Sequence, residues 1–229
     1  MKRGLTFWLF FSIALLVSAI NAYSQTYTTK IKLETIYPGY VITIENDTIN
    51  GFIKLTDKTK NQIKVLFYNS PDDPEPAMKF KPKELKAYQV GPRYYESFKF
   101  QPEEEANAHY FFLREINGAI KVFKWYSPPD NQSRLRFQVK KDKSTKFGFV
   151  SGEQDLVYQS IAIKLGGSPV NLASRKFQTN FRKHMGALVE EDPDLVEKIS
   201  NKEFGYTFDY MENIINEFNY YYLTVVSEF

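Results

Sequence analysis

The chain predicts an α+β fold: an antiparallel β-rich body, built as a meander of hairpins, followed by a short C-terminal helical segment. Three observations carry that expectation. Apolar and polar residues alternate at period two through most of residues 25–172, in short runs punctuated by Pro, Gly, Asn and Asp. From Ser174 the apolar period lengthens to about 3.6. The 20 Phe, 16 Tyr and 2 Trp favour strands and bring large buried areas.

The N-terminus stands apart from this pattern. Lys2 and Arg3 precede an uncharged apolar run, 5–19, and a small polar segment, 20–25. That order reads as a secretory signal peptide spanning 1–24, cleaved after Ser24 to leave Gln25 first. The competing reading is a retained anchor, but the run is shorter than the roughly 20 residues that span a bilayer. The mature chain is therefore expected to be exported, to the periplasm, the outer surface or the medium. It divides into a β-rich body, 25–172, and a helical tail, 173–229, packed on the body. The formal net charge of +3 falls further when Lys2 and Arg3 are removed, so nucleic acid is not an implied partner. Cysteine is absent, which excludes a disulfide framework, thiol catalysis and cysteine zinc sites.

Strands are expected in order over 28–36, then in a hairpin over 39–55 turning on Asn46-Asp47. A two-residue turn there sets Ile44 opposite Ile49, Ile42 opposite Gly51 and Tyr40 opposite Ile53, making one apolar face. A third strand is expected over 62–68, with Ile63, Val65 and Phe67 on one side. The loop 69–76, NSPDDPEP, carries acids whose proline spacing breaks the regular ligand placement of a calcium loop. Then follow a short strand at 78–80, a tight helical turn at 82–85, a strand at 87–90 and an alternating strand at 93–100. The acidic run Glu103 to Glu105 reads as solvated loop.

A second hairpin is expected over 108–126 around Asn117-Gly118, with Leu113 facing Val122, Phe112 facing Phe123 and Tyr110 facing Trp125. Both of its faces are apolar, so the pair is covered on both sides or presents aromatic surface to a partner. Strands at 135–139, 147–150 and 156–164 follow, and Gly166-Gly167 turns the chain into Val170 and Leu172. In the tail, Ser174 caps a helix whose stripe is Phe177, Phe181, Met185 and Leu188. Asp192-Pro193 starts a second helix carrying Leu195, Val196 and Ile199, and Thr207 caps a third carrying Met211, Ile214, Ile215 and Phe218.

Two segments read together, VITIENDTINGFIKL at 41–55 and the tail 177–222, resemble a loosely defined group of uncharacterised secreted proteins from Bacteroidota. That group pairs an early strand–Asp–strand hairpin with a Phe/Lys helix, an Asp-Pro-x-Leu helix start and a final helix ending near Tyr-Asn. Here Asn46-Asp47-Thr48-Ile49 stands for the early turn, and Phe218-Asn219-Tyr220 for the ending. The resemblance implies compartment and origin, and no catalytic residues.

Chemistry-bearing motifs are sparse. His109 on a strand and His184 on a helix have no nucleophile motif, His-x-Glu pattern or phosphate loop beside them. The acids Glu190, Glu191, Asp192 and Asp194 fit negative charge at a helix N-terminus better than a metal site. The expectation is a non-catalytic binding or structural protein of the envelope, without cofactor or metal. Two alternatives stand beside it: a secreted hydrolase with a spatially assembled carboxylate or His site, and a small outer-membrane barrel whose last strand carries Tyr221, Leu223, Val225 and Phe229. The candidate binding surface is Arg134, Arg136, Lys140, Lys141, Lys143 and Lys146, bordered by Trp125 and Tyr126. Its partner would be an anionic glycan, a lipid head group or another envelope protein. The plainer reading is that these cations guard a strand edge against pairing.

Overall fold

The structure is a computed structural model, and it describes residues 32–100, 108–127 and 158–226. The chain divides into two compact units, Met1–Lys32 and Leu33–Phe229, and every element below lies in the second. The expected signal peptide, the start of the strand at 28, the acids at 103–105, the strands at 135–139 and 147–150, and all six cations from Arg134 to Lys146 lie outside the described residues.

Ten antiparallel strands form one sheet in the order β10-β9-β8-β7-β6-β5-β1-β2-β3-β4. They are β1 Thr35–Thr43, β2 Thr48–Leu55, β3 Val65–Tyr68, β4 Met78–Phe80, β5 Leu85–Val90, β6 Arg93–Phe100, β7 Ala108–Ile116, β8 Ile120–Tyr126, β9 Tyr158–Lys164 and β10 Val170–Asn171. With helices gathered near the C-terminus, the α+β expectation with a β-rich body and a helical end holds.

The register of the first hairpin differs from the expected one. Val41 lies opposite Ile49, Gly39 opposite Gly51 and Tyr37 opposite Ile53. The cause is the loop, which has three residues instead of two. The Asn46 N–H donates to the Thr43 carbonyl at 3.1 Å, and the Thr43 N–H donates to the Asp47 carbonyl at 2.9 Å. Asn46 takes the left-handed conformation, φ 76°, which closes a type I turn with a bulge. An odd shift exchanges faces. Val41, not Ile42 or Ile44, is buried, and Ile44 is 53% exposed.

The second hairpin turns where expected, but its pairs also move. Leu113 meets Lys124 and Arg114 meets Phe123; a bulge at Glu115 then brings Ile116 opposite Val122. The bulge gives β7 one residue more than β8 across this stretch. The expected strand at 62–68 begins only at Val65, because the turn that ends α1 Lys58–Asn61 runs on through Gln62 and Ile63, where the Ile63 and Lys64 N–H groups donate to the Lys60 carbonyl, and it leaves Ile63 half-exposed. Asp57 caps α1 by accepting from the Lys60 N–H at 2.8 Å. Burial opposes its ionisation, but the Thr59 hydroxyl and the Lys60 N–H and ammonium outweigh that and hold its carboxyl below the usual range.

One face of the sheet carries a row running across β1, β5, β6 and β7, namely Val41, Tyr88, Tyr95 and Leu113, all buried. Further along the same face, Ile120, Val122 and Ala162 join the helices α2 Arg175–Thr179, α3 Phe181–Leu188, α4 Pro193–Ser200 and α5 Met211–Tyr221 in one core. On the opposite face Phe112, Phe123, Trp125 and Ile161 form a second, aromatic cluster.

The helix starts follow local chemistry. The Ser174 hydroxyl accepts from the Phe177 N–H at 3.2 Å, and the Asp192 carboxylate from the Leu195 N–H at 3.0 Å ahead of Pro193. The expected single helix after Ser174 is broken at Asn180, yet Phe177, Phe181, Met185 and Leu188 are all buried. Thr207 does not cap α5 with its side chain; it precedes a 3-10 turn, Phe208–Tyr210. After α5 the chain continues helically through Tyr222–Val226, so Tyr221, Leu223 and Val225 do not form a strand. Among the described residues no helix is long and apolar enough to cross a membrane.

A side-chain amide holds the helical layer to the sheet. Asn219 on α5 accepts from the Ile120 N–H at 2.7 Å and donates to the Ile120 carbonyl at 2.9 Å, completing the backbone of β8 as a neighbouring strand would. Gly118 leaves room for it, since a side chain there would overlap the Asn219 amide. Asn219→Ala is therefore expected to destabilise the fold by about 2–3 kcal/mol, by leaving both Ile120 groups unpaired. Urea unfolding measures that cost, and hydrogen exchange should show the loss concentrated in α5 and the start of β8.

Candidate binding strip at the end of β8

The far end of β8 is closed by a second amide. Gln62, buried just after α1, donates from Nε2 to the Tyr126 carbonyl at 2.8 Å, while its Oε1 accepts from the Tyr126 N–H. Its own carbonyl accepts from the Phe111 N–H at 2.8 Å. Gln62 thus fills the gap where β7 and β8 part, and it draws α1 onto the inner face of the sheet.

Adjacent strand residues point to opposite faces, and this separates the two aromatic residues expected to border the basic surface. Trp125 is 1% exposed and packs edge-on against Tyr110, with ring centres 5.7 Å apart, in the aromatic cluster. Tyr126 is 3% exposed and lies on the other face, where it pairs across strands with Tyr158 at a ring distance of 5.8 Å. The Lys58 ammonium stands 5.0 Å from the Tyr126 ring centre, and the Lys124 ammonium 4.9 Å from that of Tyr158. Lys124 also pairs with Glu115 at 3.1 Å.

The strip continues onto β6. Tyr95 stacks on Tyr88 at 4.5 Å, and the Tyr88 hydroxyl donates to the Asn61 carbonyl at 2.8 Å. The Tyr95 hydroxyl and Arg93 Nη1 are both buried without a hydrogen-bond partner. Arg93 and Asn61 lie near enough to Tyr95 to act on its ionisation, yet neither closes a bond of good geometry to the hydroxyl. Burial makes all four phenols harder to ionise: it pushes the pKa of Tyr88 well above the usual value, that of Tyr126 strongly upward, and those of Tyr95 and Tyr158 upward as well. Beyond burial, Glu115 adds to the effect on Tyr126 and Lys124 opposes it on Tyr158. Chemically the strip offers neutral hydroxyls, ammonium groups and one guanidinium, a set of donors matched to an acceptor-rich, anionic group.

The shifts have a sign that can be measured. Folding favours the neutral phenols, so the stability they contribute is complete below about pH 10, the unfolded value, and is lost as pH rises beyond it. Absorbance near 295 nm is expected to show these tyrosines ionising only together with loss of the folded circular dichroism signal. Ionisation of all 16 tyrosines in a single normal step, with the fold intact, would contradict the burial described.

The histidines and the acidic cluster have other surroundings. His109 lies opposite Lys99 on β6, and His184 stacks on Phe177 at 5.7 Å. Glu190 and Glu191 pair with Lys164 at 3.6 and 2.7 Å, while Asp192 caps α4. Among the described residues no group of three or more His, Asp or Glu is placed to hold a metal ion. Sequence reasoning named Tyr126 but missed Lys58, Gln62, Arg93, Tyr95 and Tyr158. A glutamine before an apolar run carries no mark of the strand it will meet 64 positions later. In comparisons with protein-family models, curated proteins and solved structures, no match was found.

Proposed function

We propose that this is an exported, non-catalytic binding protein of the cell envelope, which attaches to an anionic surface through Arg134, Arg136, Lys140, Lys141, Lys143 and Lys146. One feature supports the reading. β8 and β9 stay paired out to Tyr126 and Tyr158, so residues 127–157 leave and return at a single place, beside Lys58 and Lys124. The segment between them is rich in positive charge. From 134 to 146 it carries six cations against Asp142 alone, in a chain whose charges otherwise nearly cancel. Tyr126 stands at the point of departure beside Lys58, while Trp125 is buried on the other face of β8.

The test compares the parent with the Arg134→Glu, Arg136→Glu, Lys140→Glu variant on two probes, a carboxylated polysaccharide and vesicles containing anionic phospholipid. The parent is expected to bind at least one probe at low salt and the variant to bind at least tenfold more weakly. The probe retained identifies the source of the anionic group. Equal binding by parent and variant contradicts the proposal. Export is tested separately by the intact mass of the secreted form, which should begin at Gln25; a mass still containing residues 1–24 contradicts it.

A further inference from the structure

We infer that Arg93 and Tyr95 form a binding site for the carboxylate of a small monoanionic ligand, on the inner face of β6. The two residues are i and i+2 on one strand, so both project from the same face. Arg93 Nη1 and the Tyr95 hydroxyl are buried, and neither has a hydrogen-bond partner. A buried donor left unmade is costly.

Several acceptors near these donors are already engaged. Asn61 Oδ1 is taken by the Thr56 N–H at 3.1 Å and the Thr56 hydroxyl at 2.5 Å, and the Asn61 carbonyl by the Tyr88 hydroxyl at 2.8 Å. Glu115, the acid whose charge bears on Tyr95, is paired with Lys124 at 3.1 Å. The Gln62 amide is spent on the Tyr126 backbone. Arg93 Nη1 and the Tyr95 hydroxyl remain without partners, and a ligand that completes the site would bring acceptors to them.

The balance of charge and valence selects the ligand class. A carboxylate presents two oxygens and no hydrogen, one oxygen for the guanidinium and one for the phenol. Burial favours the protonated, donating form of Tyr95. A dianion would set a second negative charge beside Glu115, so a monoanion fits better. The site stands on described residues alone and is independent of the envelope reading.

The experiment is a titration of the full mature protein with sodium acetate at constant ionic strength, followed by NMR shifts of the Arg93 Nε–H and the tyrosine rings. A saturable shift is expected in the parent. Arg93→Gln should abolish it, and Tyr95→Phe should weaken affinity about three- to tenfold. Phosphate above pH 8, as the dianion, should bind more weakly than acetate. Tyr95→Phe removes only an unpartnered hydroxyl, so without acetate its Tm should equal or exceed that of the parent; this variant decides the matter if Arg93→Gln fails to fold. The charge-reversed 134–140 variant should bind acetate as the parent does, which separates this site from the basic segment. No saturation in the parent, or affinity within twofold of the parent in Tyr95→Phe, overturns the assignment.

Discussion

Gly39→Ala is expected to destabilise the fold by about 3 kcal/mol or more, the upper range for overpacking, because the obstacle is backbone. A Cβ at this position would overlap the carbonyl oxygen of Gln89 on β5 and press on Ile53. Gly39 lies directly opposite Gly51 on β2, where a side chain would overlap the ring of Phe67. The paired glycines let β1 sit close to β5 while the Phe67 ring crosses β2. Gly91 provides the contrast, since its φ is +54° but no atom stands near a Cβ there. Gly91→Ala should cost only about 1–2 kcal/mol, the penalty of the left-handed conformation. Urea unfolding of the two variants side by side measures the difference, and equal costs would refute the close approach of β1 and β5.

Gln62→Ala is expected to be comparably severe, at about 2–5 kcal/mol. It strands the N–H and carbonyl of Tyr126 in a buried setting and leaves a cavity beside them. Its effect should be local as well as global: amide exchange at Phe111 and Tyr126 should quicken ahead of that in β1 and β2. Uniform quickening across the sheet would mean that Gln62 does not pin β7 and β8 individually. Because Tyr126 is where residues 127–157 begin, Gln62→Ala is also expected to weaken any attachment made through that segment.

What was legible in the sequence was local. Asp192-Pro193 and Ser174 announce helix starts because a cap and its target lie three residues apart. β4 at Met78–Phe80 and β6 at Arg93–Phe100 stand where alternation sets them. The hairpin registers were not legible, since the three-residue loop at left-handed Asn46 and, in the second hairpin, a loop wider than two residues together with a bulge at Glu115 move the pairs without changing the apolar pattern. Alternation alone would have put Trp125 and Tyr126 on opposite faces, so that part was available and overlooked. The strip itself was hidden for a different reason. Arg93 and Tyr95 stand out only as buried donors without partners, which no local pattern announces.

The claim that the protein holds an anionic surface through its basic segment is tested most directly by affinity as a function of ionic strength. Exposed charges are screened over about 8 Å at 0.15 M salt and over about 3 Å at 1 M. Binding of the parent to its better anionic probe should therefore weaken steeply between low and high salt, while the Arg134→Glu, Arg136→Glu, Lys140→Glu variant should bind weakly throughout with a much flatter dependence. Binding by the parent that is unchanged by salt, or absent at the lowest salt, would contradict the account and leave the six cations as guards of a strand edge.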